Sequence, residues 1–197
     1  MLHALLFNRV AVVVRHWFEI GLKDGVMEHG ARLELRLLAP QAHRGTESAA
    51  QRLVIDRPVW RADLFDRLDR PAGTFSAAHY HPTFTGNEPC ERVWDPGLKE
   101  DPWSWALEQL ADIGSLCERN DVSRDAVADD VGDVYDRRAW IVGVARDLAP
   151  AACTSVDQCY ALTKDVSETV RLMVENMDDV SMLHDKYVAP WMGNVRA

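Results

Sequence analysis

Hydrophobic and polar residues alternate along much of the first 81 residues, which is the spacing of a β-strand with two different faces. The alternation is clearest between Val10 and Ile20, and again where Leu33, Leu35 and Leu37 are interleaved with charged residues. Shorter segments at 52–55, 59–65 and 74–81 show a similar pattern and are separated by turn-forming residues. The first half therefore predicts an antiparallel sheet, either a meander or an open half-barrel.

The apolar spacing becomes helical after residue 101. Asp101 and Pro102 are typical of a helix start, because the carboxylate can cap the first turn and proline has no N–H to satisfy. An apolar stripe follows, made of Trp103, Ala106, Leu107, Leu110, Ile113, Leu116 and Cys117. A second helix is predicted over about 126–148, before Pro150. Ser155 with Gln158 forms a capping box that predicts a third helix, and a short fourth is expected around Leu183 and Tyr187.

Strands followed by helices are typical of the α+β class. We expect residues 1–98 to form the antiparallel sheet region, and residues 99–197 to form a C-terminal region of three to four helices that shares its core. The residues expected to be buried where helices meet each other or the sheet are Trp103, Leu107, Leu110, Val142 and Val170.

The charge of the chain is unevenly distributed. Residues 1–98 contain 12 basic and 12 acidic residues, so the net charge of −9 comes entirely from residues 99–197. An acidic protein has little non-specific affinity for nucleic acid, whose phosphates attract positive charge. The neutral and arginine-rich first half could still hold an anion locally. The acidic helical region is a possible surface for a homodimer or a partner protein, and a small molecule is the other partner we expect.

The four cysteines are scattered, and no pair has the spacing of a metal ribbon or a disulfide framework. The longest apolar runs are too short to cross a bilayer, and the N-terminus lacks the pattern of a signal peptide. These features predict a reduced, soluble protein of the cytoplasm.

His79 and His81 are the most specific chemical signal in the sequence. Positions i and i+2 of a strand face the same way, so the two imidazoles would project side by side next to Phe75 and Ala77. Pro82 ends this strand, and the loop after it would return Glu88 towards the histidines. Two imidazoles and a carboxylate are a common ligand set for zinc and non-haem iron.

His16 is a further possible ligand. It interrupts an apolar strand face, so it would be either a core histidine with a satisfied hydrogen bond or, in a curved sheet, a third imidazole. The predicted metal ligands are therefore His79, His81, His16 and Glu88. The predicted catalytic residues are Glu88, His79 and His81.

Three functions are compatible with these residues. The first is a small metal-assisted hydrolase or oxygenase, in which Glu88 ligates the ion or acts as a base. The second is a metal-free, RNase-like site of toxin type, with the histidines as acid and base and arginines holding phosphate. The third is a non-enzymatic interaction protein, whose histidines only donate to backbone carbonyls. Whether the chain is an enzyme is left open at this point.

Charged residues elsewhere have simpler interpretations. Arg57, Arg61 and Asp63 are predicted to lie along one strand face, either as a solvated stripe or as an anion clamp. The acidic residues between 129 and 136 are expected to form a solvated helix face.

Two family resemblances involve the histidine segment. Gly73 followed by His79-Tyr80-His81 is similar to the opening of the first cupin motif, but Glu88 lies further from the histidines than that motif requires, and the second motif is missing. The order of the paired strands, His79-Tyr80-His81, Glu88-Pro89 and a helix after Pro102 resembles the TumE-like family of small toxin–antitoxin proteins. This second resemblance covers roughly residues 5–110 and implies a toxin-type protein.

Overall fold

A computed structural model of the protein describes residues 2–20, 25–40, 53–149 and residue 155. The five strands of its main sheet are β1 (Leu2–Leu6), β2 (Val10–Ile20), β3 (Met27–Pro40), β4 (Leu53–Arg67) and β5 (His79–His81). Each strand pairs antiparallel with the next one along the chain, in the order β1-β2-β3-β4-β5. The predicted meander is therefore confirmed.

A small hairpin and a set of helices follow the sheet. The hairpin pairs β6 (Phe84–Thr85) with β7 (Glu88–Pro89). The helices are α1 (Pro96–Glu100), α2 (Pro102–Gln109), α3 (Ile113–Glu118) and α4 (Ala128–Leu148), with 3₁₀ turns before α3 and α4. The α+β class is confirmed, as is the helix predicted over about 126–148. The predicted helices after Ser155, and Val170 with them, lie outside the described residues.

Asp101 caps α2 as the sequence predicts, with its carboxylate accepting from the backbone N–H groups of Trp103 and Ser104. The apolar stripe that follows is divided between two helices, because a 3₁₀ turn at Leu110–Asp112 separates α2 from α3. Leu110 and Val142 are buried as expected, whereas Trp103 and Leu107 are only partly buried. Trp105 occupies the core position instead and stacks on Trp60 of β4.

The sheet is covered by helices on one face. Val14, Leu33, Ala62 and Tyr80 lie side by side across β2 to β5, and they belong to or pack against a core that includes residues of α2, α3 and α4. The residues between them, on the opposite face, are mostly charged. This charged face is not solvated, because Arg32 and Glu34 are buried, so the strand predicted to be half-buried is buried on both faces.

Two buried polar side chains attach the helices to the strands. The carboxylate of Asp130, in the first turn of α4, accepts hydrogen bonds from the backbone N–H groups of Asn8, Arg9 and Val10 at 2.6–2.9 Å. The side chain of Asn120 bonds to Phe84 and Val59 at 2.8 Å and 2.6 Å. Asp130 therefore departs from the solvated acidic face that the sequence predicts, because it satisfies backbone donors at the start of β2.

The strand predicted over residues 74–81 is shorter than expected. Only His79–His81 pairs with β4, and the preceding residues form turns in which Phe75 has a positive φ of 46° and packs against Trp103. Phe75 therefore joins the helical side of the sheet and does not share the face of the histidines.

All of the elements above belong to one compact unit of the chain, Met1–Ala151. Among the described residues, no helix combines the length and apolar character needed to span a membrane. Cys90 is an exposed free thiol and Cys117 a buried one.

Candidate metal centre

The register of the sheet aligns charged side chains in two rows on the face opposite the helices. The first row runs from β2 to β5 and contains Arg15, Arg32, Asp63 and His79. The second row contains Glu34, Arg61 and His81 on β3, β4 and β5. Directly paired residues of antiparallel strands have their side chains on the same face. Asp63 is therefore brought next to both histidines, although it is 16 positions away from His79 in the chain.

Asp63, His79 and His81 form a compact, buried triad. The Oδ2 atom of Asp63 lies 3.3 Å from Nε2 of His79 and 3.4 Å from Nε2 of His81. The two imidazole rings have centroids 5.0 Å apart and are nearly perpendicular. The side chains of Asp63 and His79 are fully buried, and that of His81 is 5% exposed. The predicted side-by-side arrangement of the two histidines is thus present.

Backbone carbonyls determine the orientation of both imidazole rings. Nδ1 of His79 lies 2.8 Å from the carbonyl oxygen of Ala77, and Nδ1 of His81 lies 2.6 Å from that of Glu91. A carbonyl oxygen can only accept, so Nδ1 is the donor in both rings. In a neutral imidazole the other nitrogen is then a lone-pair acceptor, and both Nε2 atoms face Asp63.

No hydrogen bond closes the triad from within the described part of the chain. Asp63 Oδ2 and the two Nε2 atoms are buried, and none of their mutual contacts has hydrogen-bond geometry. Three acceptor atoms at this spacing repel one another unless a proton or a cation lies between them. The three side chains lie close enough together to hold one metal ion.

Two guanidinium groups adjoin the carboxylate of Asp63. Arg32 Nε donates to Oδ1, and Arg61 Nε lies 3.3 Å from Oδ2. Burial by itself would raise the pKa of Asp63. Hydrogen bonds from His79 and His81, which require protons on their Nε2 atoms, and the charge of Arg32 hold that pKa well below its usual range. Asp63 is therefore an ionised carboxylate inside the protein.

Arginine side chains surround the triad. Arg15 and Arg36 each approach one oxygen of Glu34 at 3.3 Å, and Arg61 approaches the other at 3.9 Å. Glu34 is 4% exposed, so three guanidinium groups share one enclosed carboxylate. Burial lowers the pKa of Arg15 and of Arg61, partly offset by the nearby carboxylates. The arginines around the triad thus carry positive charge in a partly enclosed position, and their burial costs solvation free energy.

Aromatic rings also line the charged face. The guanidinium groups of Arg15 and Arg32 lie over Trp17, at 4.4 Å and 4.8 Å from its centroid. Trp94 is 49% exposed, and its ring centroid is 5.2 Å from that of His79. These rings restrict the guanidinium groups and imidazoles to defined positions.

The structure brings together only two of the predicted ligands, His79 and His81. Glu88 is exposed on the β6–β7 hairpin, where it pairs with Thr85, and it is outside the triad. His16 lies on the opposite face, since its neighbour Arg15 is in the row of Asp63. The Nδ1 atom of His16 donates to the carbonyl oxygen of Leu148, at 3.0 Å. His16 is thus a partly buried histidine with one satisfied nitrogen.

Asp63 is the site residue that sequence reasoning missed as a ligand. The sequence predicts Asp63 on one strand face with Arg57 and Arg61. In the structure, a register shift near Arg36 separates Arg57 from the row of charged residues that contains Arg61. Arg57 instead donates to the carbonyl oxygen of Asn120. The sequence does contain a signal for this role, since Asp63 lies between the apolar residues Ala62, Leu64 and Phe65. A single carboxylate in an apolar strand segment requires a partner.

Comparisons with protein-family models, with curated proteins and with solved structures found no match to this chain.

Proposed function

We propose that this protein is a metal-dependent hydrolase whose ion is held by Asp63, His79 and His81. The observation that carries the proposal is the convergence of three buried acceptor atoms, two of them oriented by backbone carbonyls. A cation between these atoms would satisfy all three at once. This arrangement explains why the protein encloses an ionised aspartate beside two imidazoles.

The spacing of the acceptor atoms also supports a metal ion. Ligands about 2.0–2.1 Å from a tetrahedral zinc ion are separated from one another by about 3.3–3.4 Å. The carboxylate oxygen lies 3.3 Å and 3.4 Å from the two imidazole nitrogens. Two of the three distances between ligand atoms therefore already match those around a tetrahedral zinc ion, and all three atoms lie within 4.8 Å of one another.

The contacts behind the ligands are those expected around a bound metal. Ligating imidazoles usually donate their second nitrogen to a carbonyl or carboxylate, which orients the ring and raises its basicity. His79 and His81 do so through Ala77 and Glu91, and Arg32 holds the other oxygen of Asp63. These contacts fix the orientation of the two imidazoles, and the charge of Arg32 favours the ionised form of the aspartate.

Three protein ligands leave a coordination position for a small molecule. A zinc ion bound there would lower the pKa of a water ligand towards neutrality and supply a hydroxide for hydrolysis. The residues of the chain would contribute charge to the same reaction, because Arg61 lies 3.3 Å from the aspartate oxygen and could stabilise negative charge beside the ion. Iron would fit the same ligand set and would support oxygenation instead.

A metal-free acid–base site is the second candidate. It is favoured by the ionised Asp63, which could stabilise a protonated imidazole that donates from Nε2 at the observed distances of 3.3–3.4 Å. In this case the site would show full activity after treatment with a chelator.

Metal analysis of protein purified without chelator tests the proposal. We expect about one zinc or iron ion per chain, as for an occupied site with three protein ligands. The double variant His79→Ala/His81→Ala should lose the ion. The control His16→Ala removes a histidine from the opposite face of the same sheet and should retain it. Equal metal contents in the double variant and the wild type would refute the assignment of these ligands.

A further inference from the structure

The arginine side chains around the triad form a second binding element. Arg15, Arg36 and Arg61 converge on the enclosed carboxylate of Glu34, and Arg32 is shared between Asp63 and Glu19. Four guanidinium groups thus form ion pairs with only three carboxylates, of which two are buried and one, Glu19, is partly exposed. Glu19 also pairs with Arg92. Glu28, which is paired with Glu19 on the same face, adds a fourth carboxylate. With Arg92 this makes five guanidinium groups against four carboxylates, so the local charge is positive even though the chain as a whole is acidic.

We infer that this cluster binds the oxyanion of a phosphate ester, and that such esters are the substrates of the neighbouring metal centre. This inference rests on the proposed function, because the anion would be held next to the ion. Arginine is suited to the task, since its planar group of donors matches the oxygens of phosphate in pairs.

Unused donors support an anion at this position. The Nε atoms of Arg15 and Arg61 are buried and have no hydrogen-bond partner within the described segments. The side chains of Arg15 and Arg61 are nevertheless 27% and 14% exposed, so both arginines lie at the edge of the solvent. An arginine donor that is desolvated without a partner is costly, and an oxyanion would remove that cost.

The position of Arg61 connects the anion to the ion. Arg61 lies directly opposite His81 in the sheet, and its Nε is 3.3 Å from the Asp63 oxygen that faces both imidazoles. A guanidinium so close to a metal ligand repels a cation, and a bound phosphate would neutralise this repulsion. Metal and phosphate should therefore strengthen each other's binding, and the coupling must be reciprocal.

Zinc affinity in phosphate and in chloride buffers of equal ionic strength tests this inference. Competition with a chromophoric chelator should show wild-type zinc binding strengthened by about tenfold in phosphate, a usual size for coupling between sites. Arg61→Gln should abolish the difference between the buffers. Arg15→Gln should reduce it and leaves the contacts of Asp63 intact. The control Arg137→Gln changes an exposed residue of α4 and should preserve the difference.

Calorimetric titration of the chelator-treated protein with inorganic phosphate separates the two proposals. If no metal binds but phosphate does, and Arg15→Gln weakens it, the anion site stands and the metal centre fails. If zinc binds equally in both buffers and phosphate gives no heat, the anion site is refuted and the metal centre stands. Circular dichroism shows whether each variant folds. If Arg61→Gln does not fold, Arg15→Gln decides the outcome.

Discussion

Asp63 and His79 are directly paired residues of two antiparallel strands, and their side chains meet with 3.3 Å between Oδ2 and Nε2. Neither side chain is exposed to solvent. A pair of this kind is fixed by the sheet itself, because the backbone register places the two residues opposite each other. The position of the proposed ion is thus set by rigid elements, which suits a site that must hold its ligands without rearrangement.

Replacing the carboxylate of Asp63 with an amide should weaken metal binding. Asp63→Asn keeps the shape of the side chain but removes the negative charge, so we expect zinc affinity to fall by at least about 10–100-fold, the loss usual even for residues behind the ligands. Chelator competition measures the change. Asp56→Asn, at an exposed position of the same strand, is the matched control and should bind as the wild type does. Equal affinities for both variants would remove Asp63 from the ligand set.

Stability should decrease as the pH falls below about 6.5, even in the absence of metal. Burial lowers the pKa of His16 and of His29 from their ordinary value of 6.5, so the unfolded chain binds protons more readily than the folded protein. Urea unfolding in chelator at pH 7.5 and 5.5 measures the difference. The stability supplied by these histidines is complete above pH 6.5 and is lost on acidification.

The variant His29→Gln tests the cause of that pH dependence. It should show a smaller loss of stability between the two pH values than the wild type does. An unchanged loss of stability would mean that His29 binds protons equally well in the folded and the unfolded chain. The contribution of Asp63 is separate, because its lowered pKa supplies stability that is lost only in the acid range, from its ordinary value of 3.8 downwards.

Removing the buried carboxylate of Asp130 should destabilise the protein strongly. Its oxygens accept three backbone N–H groups at the start of β2, and Asp130→Ala leaves these donors without partners. We expect a loss of about 3–5 kcal/mol, as for a broken buried charged contact. Asp129→Ala changes the exposed neighbour on the same helix and should cost less than about 0.5 kcal/mol. Similar unfolding midpoints for the two variants would contradict this.

Truncation of Leu110 should cost more than truncation of Leu107. Leu110 is fully buried, so Leu110→Ala should reduce the free energy of unfolding by about 2–5 kcal/mol. Leu107 packs against the core from a half-buried position, and less apolar contact is lost there. We expect less than about 2 kcal/mol for Leu107→Ala. Chemical denaturation of both variants measures the order, and a reversed order would mean that Leu107 contributes more to the core than Leu110 does.

The sequence alone determined the α+β class and the longest elements, although it did not predict β1 and divided β4 into two strands. Alternation with a period of two predicts the strands, and helical spacing after Asp101 predicts the helices, because both signals are local and repeat along the chain. It also predicted the pairing of His79 with His81 on one face, since an i, i+2 relationship within a strand needs no knowledge of the rest of the fold.

Tertiary structure decided which groups the histidines meet. Asp63 joins them through the pairing of β4 with β5, and His16 is excluded because its position in β2 places it on the other face. Glu88 is close in sequence, but its hairpin turns it towards solvent. Pairing between strands depends on register over the whole sheet, which a local pattern of apolar residues does not specify when both faces are buried.

The same reason explains the charged residues that were predicted to be solvated. Arg32 and Glu34 alternate with leucines as they would on an exposed strand face, yet neighbouring strands enclose them in mutual ion pairs. Alternation distinguishes two faces but carries no information about what covers the polar one. Only the packed sheet shows that this face holds compensating charges, and therefore that it can form a site.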